Sequence, residues 1–150
     1  MAMKGSAMPL TGGCQCGAIR FRVEGRPRDI HYCHCSMCRR AVGNAFATLV
    51  WLEQAMLTWT GAAPAIYASS KIADRGFCRR CGSPLFRRYV NSSQIALMAG
   101  SFDDPAGFRP SHHYGIEARL PWADIGASLP GYPTDADPRP HPRGDGPEAA

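Results

Sequence analysis

Apolar and polar positions alternate over residues 18–24, with Ile19, Phe21 and Val23 facing one way and Arg20, Arg22 and Glu24 the other. A period of two predicts a strand with one buried face, and Gly25-Arg26-Pro27 ends it. Residues 45–52 (AFATLVWL) are β-branched and aromatic enough to predict a second strand. Residues 57–60 and 65–69 predict two short strands, separated by Gly61 and Pro64. Residues 84–90 and 94–99 predict a pair joined across Asn91-Ser92-Ser93, and residues 112–118 a last strand. Helical signal is confined to one turn over 38–42 and another over 122–129. Trp51, Trp59 and Trp122 read most simply as core. The pattern is that of a mainly β chain built from short strands, with no internal repeat.

Composition changes the picture at the two ends. Residues 1–10 read as a disordered leader or an expression remnant, and they lack the apolar stretch of a secretory signal. Residues 131–150 hold five prolines and three glycines with little that is apolar, and they predict a disordered tail. The folded domain is then placed at residues 11–130. No apolar run reaches the ~18 residues of a membrane span, so a membrane partner is not expected and a cytoplasmic chain is. The net charge of +5 is spread along the sequence with no Lys/Arg block of five. Without a basic stripe interleaved with aromatics, nothing points to nucleic acid.

Short strands bury little apolar surface each, so a domain of this kind needs an extra cross-link. Seven cysteines can supply it, and because seven is odd a complete set of intrachain disulfides is excluded. They fall into three groups: Cys14 and Cys16, then Cys33, Cys35 and Cys38, then Cys78 and Cys81. A tight turn aims both sulfurs of a C-x-x-C at one point, and residues i and i+2 of an extended C-x-C share a face. Thiolates in tetrahedral geometry favour zinc.

Seven divides most simply as four plus three. Four thiolates close a structural site, and three leave a position open, as a catalytic zinc requires. Spacing alone allows two partitions. Cys35 and Cys38 could join Cys78 and Cys81 across 40 residues, leaving Cys14, Cys16 and Cys33. Alternatively, Cys14, Cys16, Cys78 and Cys81 form the closed set and Cys33, Cys35 and Cys38 the open one. The second is preferred, because it keeps three near neighbours together and ties the first strand to the later hairpin. One structural zinc with three spare cysteines is the plainer alternative. A redox C-x-x-C is disfavoured because no βαβ pattern surrounds either pair.

These residues resemble the glutathione-dependent formaldehyde-activating enzyme family, which also contains the centromere protein V group. The resemblance rests on Gly12-Gly13-Cys14-Gln15-Cys16-Gly17 and on Cys33-His34-Cys35-Ser36-Met37-Cys38-Arg39, with Gly43 and Phe46 beyond. It continues through Gly76-Phe77-Cys78-Arg79-Arg80-Cys81-Gly82-Ser83-Pro84-Leu85 and Gly100-Ser101-Phe102-Asp103-Asp104-Pro105. Pro121-Trp122 and Leu129-Pro130 complete it, and it spans roughly 11–133. The resemblance implies a β-tent (Mss-four-like) fold of small antiparallel sheets around zinc. It implies the preferred partition, with two zinc ions per chain. It also implies a carbon–sulfur lyase-type activity that adds the glutathione thiol to formaldehyde and gives S-hydroxymethylglutathione, so that the partners are a small thiol and a small aldehyde.

Around the open set, His34 lies between two ligands and is expected to point away from the metal. Of His112 and His113 only one can face inward from a strand, and Asp103-Asp104 are expected to shape a turn before Pro105. Arg39 and Arg40 are candidates to offset thiolate charge or to hold a substrate anion, with exposed arginines as the plain alternative. No oxyanion donor is evident. The competing function is a zinc-scaffolded binding module for protein or nucleic acid.

Overall fold

A computed structural model describes residues 8–124 and 129–130. In chain order the elements are β1 (Leu10–Gly13), β2 (Ile19–Val23), β3 (Asp29–Cys33), α1 (Ser36–Val42), β4 (Ala47–Glu53), β5 (Leu57–Gly61), β6 (Ala65–Ala68), β7 (Ala73–Phe77), β8 (Pro84–Tyr89), β9 (Gln94–Met98) and β10 (His113–Tyr114). The mainly β expectation holds. Among the described residues the strands make two sheets, one of three strands ordered β1-β2-β5 and one of seven ordered β10-β3-β4-β9-β8-β7-β6.

The alternation in β2 does what it predicts: Ile19, Phe21 and Val23 are buried, and Arg20, Arg22 and Glu24 lie outward. The central strands follow a different rule. Leu49, Val50 and Leu52 of β4, and Ala96 and Leu97 of β9, are fully enclosed although neighbours point to opposite faces. The large sheet is therefore covered on both sides there, which removes the need for a polar face. One face carries Val50, Leu52, Leu85, Phe86, Ile95 and Leu97 against Ile19, Phe21 and Val23 of the small sheet. The other carries Ala47, Leu49, Ala96 and Met98, with Cys33 and Cys38 in the same cluster. Phe21 fixes the first core, with Trp59 and Phe102 edge-on at 5.8 and 5.1 Å.

Three strands, β1, β3 and β7, lie outside those predicted. The last predicted strand, over 112–118, shrinks to His113–Tyr114 followed by a 3-10 turn over Ile116–Ala118. It pairs with β3 in parallel, so the sheets are not purely antiparallel. The turn predicted over 38–42 is α1, beginning two residues earlier. Leu10, placed in the leader, opens β1. Residues 1–7, the tail over 131–150 and positions 125–128 of the second predicted helical turn lie outside the described residues. Trp122 is not core: it is 66% exposed, because it lies past the last strand where no sheet remains to cover it. Trp59 is half-buried in the core, and half-buried Trp51 stacks on Tyr89.

Asp103 joins the small sheet to the segment after β9. It takes two hydrogen bonds from the Arg20 guanidinium and one of 2.6 Å from Thr11 Oγ1. Arg20 first, then Thr11, hold its carboxyl down at about 2. Both side chains of the pair are close to half-exposed, so solvent screens it. Asp103→Asn is expected to cost about 0.5–1 kcal/mol at pH 7, read as a shifted urea midpoint at unchanged slope. A depressed carboxylate stabilises above its ordinary value and ceases to do so as pH falls through its folded value. The gap between variant and wild type should therefore close from about pH 4 toward pH 2.

Candidate functional site

Cys14, Cys16, Cys78 and Cys81 come together with all four sulfurs within 4.8 Å of one another, and Cys33, Cys35 and Cys38 do the same. All seven are free thiols. The structure thus groups the cysteines as the preferred partition has them, and does not bring Cys35 and Cys38 to Cys78 and Cys81.

Two tight turns build the four-cysteine group. Between β1 and β2, Gly17 donates its N–H to Cys14 O at 3.1 Å; between β7 and β8, Gly82 donates to Cys78 O at 2.7 Å. Both glycines have positive φ, +79° and +77°, where a Cβ would be strained. Ser83 closes the second turn. Its carbonyl accepts from Cys78 N, its hydroxyl lies 3.2 Å from Cys81 Sγ, and the same hydroxyl accepts from Gln15 N, linking the two turns. Ser83 holds the Cys81 thiol down at about 5. The sulfurs of Cys14 and Cys16 are 3.6 Å apart and those of Cys16 and Cys78 are 3.8 Å apart. A tetrahedron of zinc–sulfur bonds of about 2.3 Å has an edge of about 3.8 Å, so these two separations match the edges of a tetrahedral site and the donor set fits one such ion.

The three-cysteine group lies on the opposite side of the large sheet. Cys33 ends β3 on the covered face, and Cys35 caps α1, its sulfur accepting from Cys38 N at 3.4 Å. Cys38 is therefore presented from the first helical turn, buried like Cys33, while Cys35 is half-buried on the open side. The Cys33 and Cys35 sulfurs are 3.5 Å apart. Cys38 is held well below the ordinary thiol range by Cys33 first and then by Arg75.

Arg75 is the residue that sequence reasoning missed. It reaches across from β7, where it lies opposite Arg87 on β8 and Tyr67 on β6. Its Nη2 donates to Cys38 Sγ at 3.5 Å, it is only 9% exposed, and its Nη1 has no hydrogen-bond partner among the described residues. A buried cation requires a buried anion. Three neutral thiols offer none. Three thiolates around one divalent ion carry a net charge of −1 and match it, so this site too fits a metal ion. The available signal was an arginine at an inward position of a strand three residues before Cys78; the thiol it meets is 37 positions away.

The other candidates fall as follows. His34 does point away from the sulfurs but is not exposed. At 1% exposure it shares a 2.8 Å hydrogen bond between its Nε2 and His113 Nδ1, beside Phe46. Burial first, then His113 and Arg119, lowers its pKa. His112 turns to the other face of β10, stacked on His31, and His31 Nδ1 lies 2.5 Å from Asp29 Oδ2. These two pairs of rings, one on each face, pin the short parallel strand to β3. Asp104 shapes a turn by accepting from Ala106 N, whereas Asp103 is committed to Arg20. Arg39 donates to His34 O and lines a shallow recess with Arg40, Leu120 and Trp122. Arg40 also borders a cavity of about 490 Å³ between α1 and strands β6 to β9, which Arg75 lines as well.

The family model of the glutathione-dependent formaldehyde-activating enzymes matches residues 9–117. The chain belongs to this family. The match runs from β1 to the turn after β10 and so takes in both cysteine groups. A Halomonas elongata protein, provisionally named a glutathione-dependent formaldehyde-activating enzyme, is 30% identical over 128 residues, covering 79% of this chain and 82% of that protein. A Schizosaccharomyces pombe protein described as an uncharacterized lyase is 30% identical over 80 residues, covering 53% of this chain and 58% of that one. The crystal structure of a Rhodobacter sphaeroides protein superposes with a TM-score of 0.55 at 24% identity, covering 69% of this chain and 98% of that one, and shows the same fold. The glutathione-dependent formaldehyde-activating family thus accounts for the fold and for the cysteine clusters.

The two clusters should respond differently to substitution. Cys81→Ser is expected to unfold the chain or lower its melting temperature by well over 10 °C, since a structural metal carries much of the folding energy of a small domain. Cys35→Ser should keep the circular dichroism spectrum and the cooperative melt while losing one bound metal ion. Equal unfolding of both variants would contradict this division of roles.

Proposed function

We propose that the chain is a zinc-dependent carbon–sulfur lyase-type enzyme that joins a small thiol, such as glutathione, to a small aldehyde. The observation that carries the reading is the meeting of three thiols, one of them on a buried arginine that also lines a cavity. Cys14, Cys16, Cys78 and Cys81 would hold a closed structural zinc, and Cys33, Cys35 and Cys38 a second zinc with one position free. A zinc ion held by three thiolates supplies an open position at which a bound thiol loses its proton near neutral pH.

The chain's own residues do the rest. The Arg75 guanidinium donates to Cys38 Sγ and favours its thiolate, and the Cys38 and Gly43 N–H groups anchor the two ends of the short helix that presents it. Arg75 offsets the surplus negative charge of the cluster, so that it can remain inside the fold. Arg40, exposed at the cavity edge, is placed to attract an anionic thiol.

The test is metal content together with catalysis. The purified protein is expected to hold two zinc ions, one removed by mild chelation along with thiol–aldehyde exchange activity, the other retained with the fold. A single tightly held zinc and no acceleration of exchange would overturn the enzyme reading and leave the binding module.

A further inference from the structure

We propose that Asp29, His31 and His112 form a further metal site, which takes a divalent ion such as zinc on two imidazole nitrogens and one carboxylate oxygen. It shares no ligand with either cysteine group and does not depend on the thiol–aldehyde reading.

Strand pairing builds the site. Asp29 and His31 are two residues apart on β3 and so share a face. Parallel pairing sets His113 beside Tyr32, and Tyr32 N donates to His112 O at 3.1 Å. His112 thus arrives next to His31, with the two rings stacked at 4.6 Å between centroids. One donor atom from each of the three side chains lies within 4.8 Å of the others. Both imidazoles turn Nδ1 toward the same carboxylate: His31 Nδ1 is 2.5 Å from Asp29 Oδ2, and His112 Nδ1 is 3.8 Å from Asp29 Oδ1. Zinc–nitrogen and zinc–oxygen bonds of about 2.1 Å, at the tetrahedral angle, set ligand atoms about 3.4 Å apart. The two separations lie on either side of that value. An ion that replaces the hydrogen between His31 and Asp29 opens the shorter one, and the half-exposed His112 side chain can close the longer.

The chemistry of the donors suits such an ion. With Asp29 accepting, His31 carries its hydrogen on Nδ1. On ion binding Nδ1 gives that proton to solvent, Nε2 takes one up, and the imidazole stays neutral. Two neutral imidazoles and one carboxylate then offer a single negative charge to a divalent ion. Ser111 steadies the carboxylate from outside: its hydroxyl, 2.8 Å from His112 Nδ1, donates to Asp29 Oδ1 at 3.1 Å, and its N–H donates to Ile30 O at 2.8 Å. The opposite face of the same strands supplies the contrast. There His34 and His113 also meet, at 2.8 Å, but His34 is buried and no carboxylate among the described residues completes a donor set, so the pair only clasps the strands. The Asp29 site is open to water, which can fill the remaining coordination positions. Its ion therefore exchanges, filling when the ion is supplied and leaving on desalting, unlike ions held by sulfur.

The experiment titrates zinc chloride into the desalted full chain with its cysteine sites loaded, and follows the histidine ring nitrogens by NMR. One further equivalent is expected to bind at micromolar zinc, with His31 switching from the Nδ1–H to the Nε2–H tautomer. His112→Ala and Asp29→Asn should each weaken that equivalent at least about tenfold and leave the sulfur-held zinc in place. The His112 side chain is exposed enough that His112→Ala keeps the fold and decides the matter should Asp29→Asn unfold. Ser111→Ala should weaken it about tenfold through the loosened carboxylate. Millimolar magnesium, which prefers oxygen ligands, should leave the rings unchanged. No further equivalent, a further equivalent that His112→Ala retains, or binding without the tautomer switch overturns the site. Equal binding of magnesium overturns the imidazole ligation, and an unchanged affinity in Ser111→Ala overturns its positioning role.

Discussion

Everything in this fold depends on closing a chain whose strands are too short to hold one another. Four thiols from two turns, 62 residues apart, meet at the edge of the core between the sheets. One turn leads into the small sheet and the other joins two strands of the large sheet, so an ion held there cross-links the layers. Loop closure over such a span costs only slightly more entropy than over a short one, while structural zinc contributes on the order of 10 kcal/mol. An ion bound there would hold the apolar core of Phe21, Leu52, Phe86 and Leu97 shut.

The four-cysteine group leaves the opposite face of the large sheet to the second cluster. The central strands are covered on both sides, and on the second side the cover is a seven-residue helix carrying its own cysteines. The helix is too short to be stable alone; its Cys35 cap and its packing on Leu49 and Met98 hold it. Electrostatics couples this face to the far strands. Arg75 on β7 needs an anion, and the cluster on β3 and α1 needs a cation, so each makes the burial of the other tolerable. The separation into a four-cysteine group and a three-cysteine group follows from the two faces of one sheet.

The legible parts of the sequence are those with local signatures. The strict alternation of Ile19, Phe21 and Val23 locates β2, and the cysteine spacings locate the three chelating segments, because chelating turns are only a few residues long, while the pairing of those segments into four and three rests on contacts across the fold. What escapes depends on distant partners. β3 (DIHYC) and β7 (ADRGF) are too polar to read as strands; the buried His31 and Arg75 are tolerated inside because His112 and Cys38 meet them from elsewhere. β1 (LTGG) carries too few side chains for a pattern, and β10 exists only through its parallel pairing with β3. Trp122 misleads for the same reason in reverse: an aromatic is core only where something is left to bury it.

The central claim is that four thiols close one zinc site and three leave another open. X-ray absorption at the zinc edge tests it most directly. The account predicts two zinc ions per chain with an average of about 3.5 sulfur ligands each, the average rising to four when chelation removes the labile ion. One zinc per chain with four sulfurs before any treatment would contradict it.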